Sequence, residues 1–232
     1  LLFFLALLCS NLLFAQTNVS KYSFDNLINA IINAPDGSTY VGGNFGNVGL
    51  YSGAGVSYDT NTELWNDSFA KVEGFINAVV SIPTTFGGGW YIGGSITSVD
   101  GQARTNLARL NADGSLHTFN PQGLYSTVYA LAIDGNGNLF VGGEFNTGAS
   151  NNSVRDNLAK YDSSGNLTDF SPTLNGRVFS LLIDANNNLY VGGEFSLVNG
   201  ISRDRFAKFD ADGVLTNFNF TTDNARVNAL AL

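Results

Sequence analysis

From residue 28 onward the chain is a succession of short apolar runs with period-two alternation, separated by clusters of Asn, Asp and Gly. That pattern predicts β-strands joined by tight turns, and no stretch has the 3.6-residue apolar spacing of an amphipathic helix. Four kinds of run recur in a fixed order. The first is Ile28-Asn29-Ala30-Ile31-Ile32, Ile76-Asn77-Ala78-Val79-Val80, Val128-Tyr129-Ala130-Leu131 and Val178-Phe179-Ser180-Leu181. The second pairs an aromatic and a β-branched residue with two glycines: Tyr40-Val41-Gly42-Gly43, Tyr91-Ile92-Gly93-Gly94, Phe140-Val141-Gly142-Gly143 and Tyr190-Val191-Gly192-Gly193. The third is clearest as Leu107-Ala108-Arg109-Leu110, Leu158-Ala159-Lys160-Tyr161 and Phe206-Ala207-Lys208-Phe209. The fourth ends in an aromatic at Phe119, Phe170 and Phe218.

The linkers between the first and second runs, such as Asp134-Gly135-Asn136-Gly137-Asn138, contain residues that tolerate the backbone of hairpin turns. Each unit therefore reads as a four-stranded antiparallel meander. Units of that kind at a period of roughly 50 residues are blades of a β-propeller, an all-β fold. The expected blades are 28–75, 76–127, 128–177 and 178–226, and 227–232 repeats the opening of a fifth. Glycine weakens a strand unless another backbone must come close, so the glycine pairs are expected where a neighbouring blade packs. An inner strand without a following partner would leave backbone groups unpaired, so the sequence is expected to continue beyond residue 232. Residues 16–27 form a lead-in in which Val19 to Phe24 could supply a ring-closing outer strand.

Residues 1–15 change this picture, because they carry no charge and end at the small residue Ala15 before a polar run. They read as a signal peptide lacking its initiator Met and basic flank, too short for the roughly 20 residues of a membrane span. Export would remove the single cysteine, Cys9, and with it any disulfide or thiolate chemistry. The net charge of −8 and only 11 Lys and Arg argue against nucleic acid and against an anionic membrane surface.

Candidate chemistry is sparse. Asp134, Asn136 and Asn138, and likewise Asp184, Asn186 and Asn188, resemble the opening of a calcium loop. Twelfth positions held by Phe145 and Phe195 instead of Glu favour plain hairpin turns, so neither a metal nor another cofactor is expected. Arg104, Arg155 and Arg203 recur just before the third strand, and Glu144 and Glu194 directly follow the glycines. Ionic bracing of Arg155 with Glu144 and of Arg203 with Glu194 is the expected arrangement, beside an acid–cation ring for a polar ligand. The single histidine, His117, alternates with apolar neighbours and is expected to face solvent; no nucleophile–base pair is visible. In a meander the loops after the second and fourth strands share one face, and here they are the long ones. That face is the expected ligand surface, with Tyr51, Arg104, Tyr125, Arg155 and Arg203 as participants.

The aromatic-Val-Gly-Gly-x-Phe phrase, the Leu-Ala-Arg-Leu-Asn-x-Asp-Gly phrase and the Phe-ended strand resemble the delta-60 repeat of secreted bacterial propellers. The resemblance is closest at Tyr91 to Phe119, Phe140 to Phe170 and Tyr190 to Phe218. Asp134 to Val141 is also similar to propellers of the NHL and gluconolactonase type. The first resemblance implies a propeller in an extracellular setting and no particular reaction. The expected function is a secreted or cell-surface, non-catalytic binding, adhesion or scaffold module, part of a longer protein, with a protein or carbohydrate ligand. The alternative is a lactonase-like or glycan-processing enzyme with carboxylates around the central channel.

Overall fold

A computed structural model describes residues 26–33, 38–48, 51–59, 62, 64–66, 69–121, 124–146, 155–219, 223 and 225–231. The signal segment, Cys9 and the Val19 to Phe24 strand lie outside the described residues. Strands Ile28–Asn33, Ser38–Gly43, Gly55–Asp59 and Leu64–Asn66 form the first antiparallel sheet in chain order. The second contains Val72–Ser81, Trp90–Val99 and Leu107–Leu110, and the third Val128–Ile133, Leu139–Asn146 and Asp156–Tyr161. The fourth contains Val178–Ile183, Leu189–Gly193 and Phe206–Phe209. These sheets are the blades of a β-propeller; the inner strand of the second, Val72–Ser81, starts ahead of the expected residue 76.

The fourth strand departs from expectation. It is a strand in the first blade only; in the others it pairs through one bridge, Leu110 to Leu116, Tyr161 to Leu167 and Phe209 to Leu215. Two of the long loops carry short hairpins, Asn47–Val48 with Tyr51–Ser52 and Leu197–Val198 with Ile201–Ser202. In the second blade Gln102–Ala103 folds back on the end of the Trp90–Val99 strand.

The core lies between blades. Tyr40 and Ala54 of the first blade share a buried cluster with Ile76, Trp90 and Ile92 of the second, and the next two boundaries carry equivalent clusters. The first glycine of each pair makes this approach possible. A Cβ on Gly42, Gly93, Gly142 or Gly192 would lie within 2.6 Å of a side-chain carbon of Ile76, Val128, Val178 or Val227, the residue that opens the next unit. Val227 also donates its N–H to Gly193 O at 2.9 Å, so residues 225–231 dock as the opening of a further unit would.

The second glycine has a different neighbour. A Cβ on Gly43, Gly94, Gly143 or Gly193 would strike the carbonyl oxygen of Leu27, Phe75, Thr127 or Arg177, the residue just before Ile28, Ile76, Val128 or Val178. There every inner strand slips register, between Ile28 and Ala30, Ile76 and Ala78, Val128 and Ala130, and Val178 and Ser180. Each slip is a β-bulge, which leaves one residue out of the ladder and re-aims its side chain. The residues so released are Asn29, Asn77, Tyr129 and Phe179.

The fourth segments contribute an aromatic to the next boundary. Phe119 meets Tyr91 of its own blade at 5.3 Å and Tyr161 of the next at 5.9 Å, both edge-on. Phe170 repeats this with Phe140 and Phe209 at 5.6 and 5.4 Å. Gly165 and Gly213, in the turns of the following blade, lie against these rings.

Overpacking a glycine hole is expected to be expensive. Gly142→Ala should destabilise the protein by about 1–3 kcal/mol in urea unfolding. Combining it with Val178→Ala should give a smaller loss than the sum of the two single changes, because the pair is in contact. Simple additivity would show that Val178 does not occupy that hole.

Candidate functional site

The three recurring arginines are buried, with 5–6% of their surface exposed. Arg155 donates from Nε to Phe170 O at 2.8 Å and from Nη2 to Thr168 O at 2.6 Å. Arg203 donates to Ser202 O at 2.9 Å and Thr216 O at 2.6 Å, and Arg104 to Ala103 O at 2.9 Å and His117 O at 3.2 Å. The guanidinium thus serves the carbonyls of the fourth segment, which one β-bridge alone would leave unpaired. In the first blade Gly53 stands where the arginine would be, and three residue pairs hold the fourth strand instead.

The expected bracing of these arginines with Glu144 and Glu194 needs correction. Both carboxylates pair with Arg177, which precedes the fourth inner strand. Glu144 accepts from Arg177 Nε at 2.7 Å and Nη2 at 3.1 Å, a bidentate fork, and Glu194 lies 3.4 Å from Nε. One guanidinium therefore clasps the carboxylates of two consecutive blades. Arg203 turns the other way because the carbonyls needing donors lie under the outer segment.

Beside this clasp the bulge residues meet one another along the inner strands. Asn29 Nδ2 donates to Ile76 O at 3.0 Å and approaches Asn77 Oδ1 at 3.5 Å; Asn77 Nδ2 donates to Val128 O at 3.2 Å. Tyr129 and Phe179 are in ring contact at 5.2 Å, and Tyr129 Oη donates to Glu144 Oε2 at 3.1 Å. The Arg226 guanidinium stands 5.6 Å from the Phe179 centroid. Amides, aromatics, two carboxylates and two guanidiniums thus gather where the inner strands start, on the face that carries the long loops. Desolvation raises the Tyr129 hydroxyl pKa, and its bond to Glu144 adds to this.

Sequence reasoning identified Glu144 and Glu194 but not Tyr129, Phe179, Arg177 or Arg226. The available signal was the position between the opening apolar residue and Ala or Ser of the first run. It reads Asn, Asn, Tyr and Phe while its neighbours repeat. Tyr125 is 72% exposed on the loop feeding the third blade, as expected for that face. Tyr51 lies in the Tyr51–Ser52 strand of a loop hairpin.

The acidic turns are filled by their own donors. Asp134 Oδ1 accepts from the Asn136 and Asn138 amides at 2.9 Å, and Oδ2 from Asn138 Nδ2 at 2.8 Å, with Lys160 Nζ at 3.5 Å. Asp184 repeats the pattern with Asn186 and Asn188, but Tyr190 Oη replaces the lysine at 3.0 Å. Hydrogen bonds from Asn188 first, then Asn186 and Tyr190, pull the Asp184 carboxyl down to about 2. Among the described residues no group of three or more His, Cys, Asp or Glu could hold a metal ion, and no helix is long and apolar enough to cross a membrane.

His117 does not simply face solvent. It is half-buried, and Nδ1 accepts the Phe119 N–H at 3.0 Å. Burial first, and the Arg109 charge second, lower its pKa. A groove of about 580 Å³ opens between the third and fourth blades, lined by Phe140, Lys160, Phe170, Asn187, Asp210 and Asp212 among others. Lys160 is already placed 4.8 Å over the Phe140 ring of its own blade, and Phe170 on the groove floor meets Phe209 of the fourth blade at 5.4 Å.

Residues 88–118, 135–167 and 185–215 match a family described as a domain of unknown function (DUF5122) beta-propeller. These segments run from the second strand to the fourth segment of blades two, three and four. No curated protein matches the chain. Among solved structures it is similar to PorZ, a surface component of the type-IX secretion system of Porphyromonas gingivalis, with 14% identity and a TM-score of 0.51 over 88% of this chain. It is likewise similar to the extracellular domain of a hybrid two component system from B. thetaiotaomicron, with 16% identity and a TM-score of 0.50 over 88%. The chain spans 28% and 24% of those two proteins, and at such identities the likeness is one of fold.

Two predictions test the assignments of Arg203 and His117. Arg203→Met should cost about 1–3 kcal/mol in denaturant unfolding, because the Ser202 and Thr216 carbonyls lose their donor. An arginine poised only for ligand would leave the midpoint unchanged. The lowered His117 pKa means that the unfolded chain takes up the proton first, so this residue's contribution is present above about pH 6.5 and falls as pH drops. His117→Gln should flatten the dependence of Tm on pH between about 7.5 and 5.5, and an unchanged slope would remove His117 as its source.

Proposed function

We propose that the chain is an extracytoplasmic, non-catalytic binding module that engages its ligand at the long-loop mouth of the propeller. The observation that carries this reading is the clasp of Arg177 with Glu144 and Glu194 beside the half-buried Tyr129 and Phe179 rings. Charged groups neutralised within the protein and flanked by aromatic surface orient a ligand well. They are a poor acid–base pair, because each carboxylate is committed to a shared guanidinium. The sole histidine lies in the outer segment of the second blade, away from this cluster. The apolar leader and the likeness of the Gly-Gly phrases to secreted propellers support export.

Arrays of extracellular glycans and surface proteins probed with the labelled protein test this reading. Binding should fall about tenfold or more in the Tyr129→Ala, Arg177→Ala double variant, with the bound array component recovered chemically intact. Equal binding by wild type and variant would remove the site, and turnover of the component would restore the enzymatic alternative.

A further inference from the structure

We infer that the row of bulge residues recognises a neutral, hydroxyl-rich ring, a pyranoside, stacked on the Tyr129 ring. This assignment rests on the binding-module reading and adds the ligand's chemical class. Three features carry it. The first is how the side chains are presented: the same register slip in all four inner strands frees Asn29, Asn77, Tyr129 and Phe179 from the ladder at one level. Asn29 lies beside Asn77, Asn77 reaches the Val128 carbonyl next to Tyr129, and Tyr129 meets Phe179, so amides stand on one side and aromatics on the other.

The second feature is hydrogen-bond capacity. Asn29 Nδ2 donates to Ile76 O and approaches Asn77 Oδ1, and Asn77 Nδ2 donates to Val128 O, which leaves Asn29 Oδ1 and one lone pair of Asn77 Oδ1 as acceptors. Glu194 meets Arg177 at 3.4 Å on one oxygen and keeps further acceptor capacity. The polar half is therefore richer in acceptors than donors, and hydroxyl groups supply the missing donors.

The third feature is charge. Glu144 and Glu194 are balanced by Arg177 and Arg226, the latter already over the Phe179 ring. A cationic peptide would find its carboxylates taken and its cation–π position occupied, and an anion would meet two carboxylates. A neutral ring with an apolar C–H face and equatorial hydroxyls meets neither obstacle, and its face matches the aromatic side.

Calorimetric titration of the full chain with neutral β- and α-linked glucan, xylan and chitin oligosaccharides, beside an Arg-rich and an Asp-rich peptide, tests the inference. At least one saccharide should saturate below about 1 mM. Its Kd should change less than about twofold between about 0.05 M and 0.5 M salt, because no net charge is exchanged. Tyr129→Ala and Asn77→Ala should each weaken it about tenfold, whereas Tyr129→Phe, which keeps the stacking ring, should lose less than Tyr129→Ala. If either alanine variant lowers Tm, Tyr129→Phe and Tyr129→Leu decide: stacking requires Phe to bind more tightly than Leu. Saccharide binding indifferent to these changes, or no response from a folded protein to any saccharide, overturns the assignment. A salt-sensitive peptide response that Tyr129→Ala abolishes would overturn the sugar class while leaving the binding-module reading intact.

Discussion

Consecutive blades are joined by a branched side chain entering the space of an absent one. Ile76, Val128, Val178 and Val227 each sit on a glycine of the preceding blade, and the buried clusters form around those contacts. A single blade has little interior of its own, because its apolar faces are completed by its neighbour. The second glycine of each pair lets the inner strand slip by one residue without its carbonyl meeting a Cβ. One dipeptide therefore sets both the spacing of the blades and the release of the bulge residue. The candidate site depends on that release, and so on a backbone constraint carried by residues that never touch a ligand.

The repeat and the glycine holes were legible because each leaves a compositional mark at fixed spacing. The bulge was not, since a one-residue slip needs no special composition; what it needs is a smooth glycine opposite. A reading that pairs residues in strict alternation places Tyr129 and Phe179 in an ordinary strand, and the structure moves them out of it. The arginines failed for a related reason. Drawing a full fourth strand hides the carbonyls of Thr168, Phe170 and Thr216 as partners, and Glu144 and Glu194, which recur with the arginines, stand out instead. Once the fourth segment is reduced to a bridge, the burial of Arg104, Arg155 and Arg203 follows from the need to pair those oxygens.

Scaffold and recognition are separated within each unit. The opening Ile or Val fills a glycine, the Ala or Ser two positions later returns to the ladder, and only the residue between them is free of both tasks. It is Asn in two blades and aromatic in the other two, with no change in the register of the surrounding strands. Glu144 and Glu194 stand one residue beyond the glycines and are likewise outside the inner ladder, so Arg177 can join two blades without altering either sheet.

The buried arginines also decide how the circumference of the molecule meets other chains. An exposed strand edge normally offers a row of unpaired amides and carbonyls to any extended peptide. In blades two to four the outermost segment turns carbonyls toward a guanidinium within the same blade, and in blades two and three its aromatic is lodged at the next boundary. Along those segments the carbonyls that an edge strand would offer an added chain are already engaged within the blade.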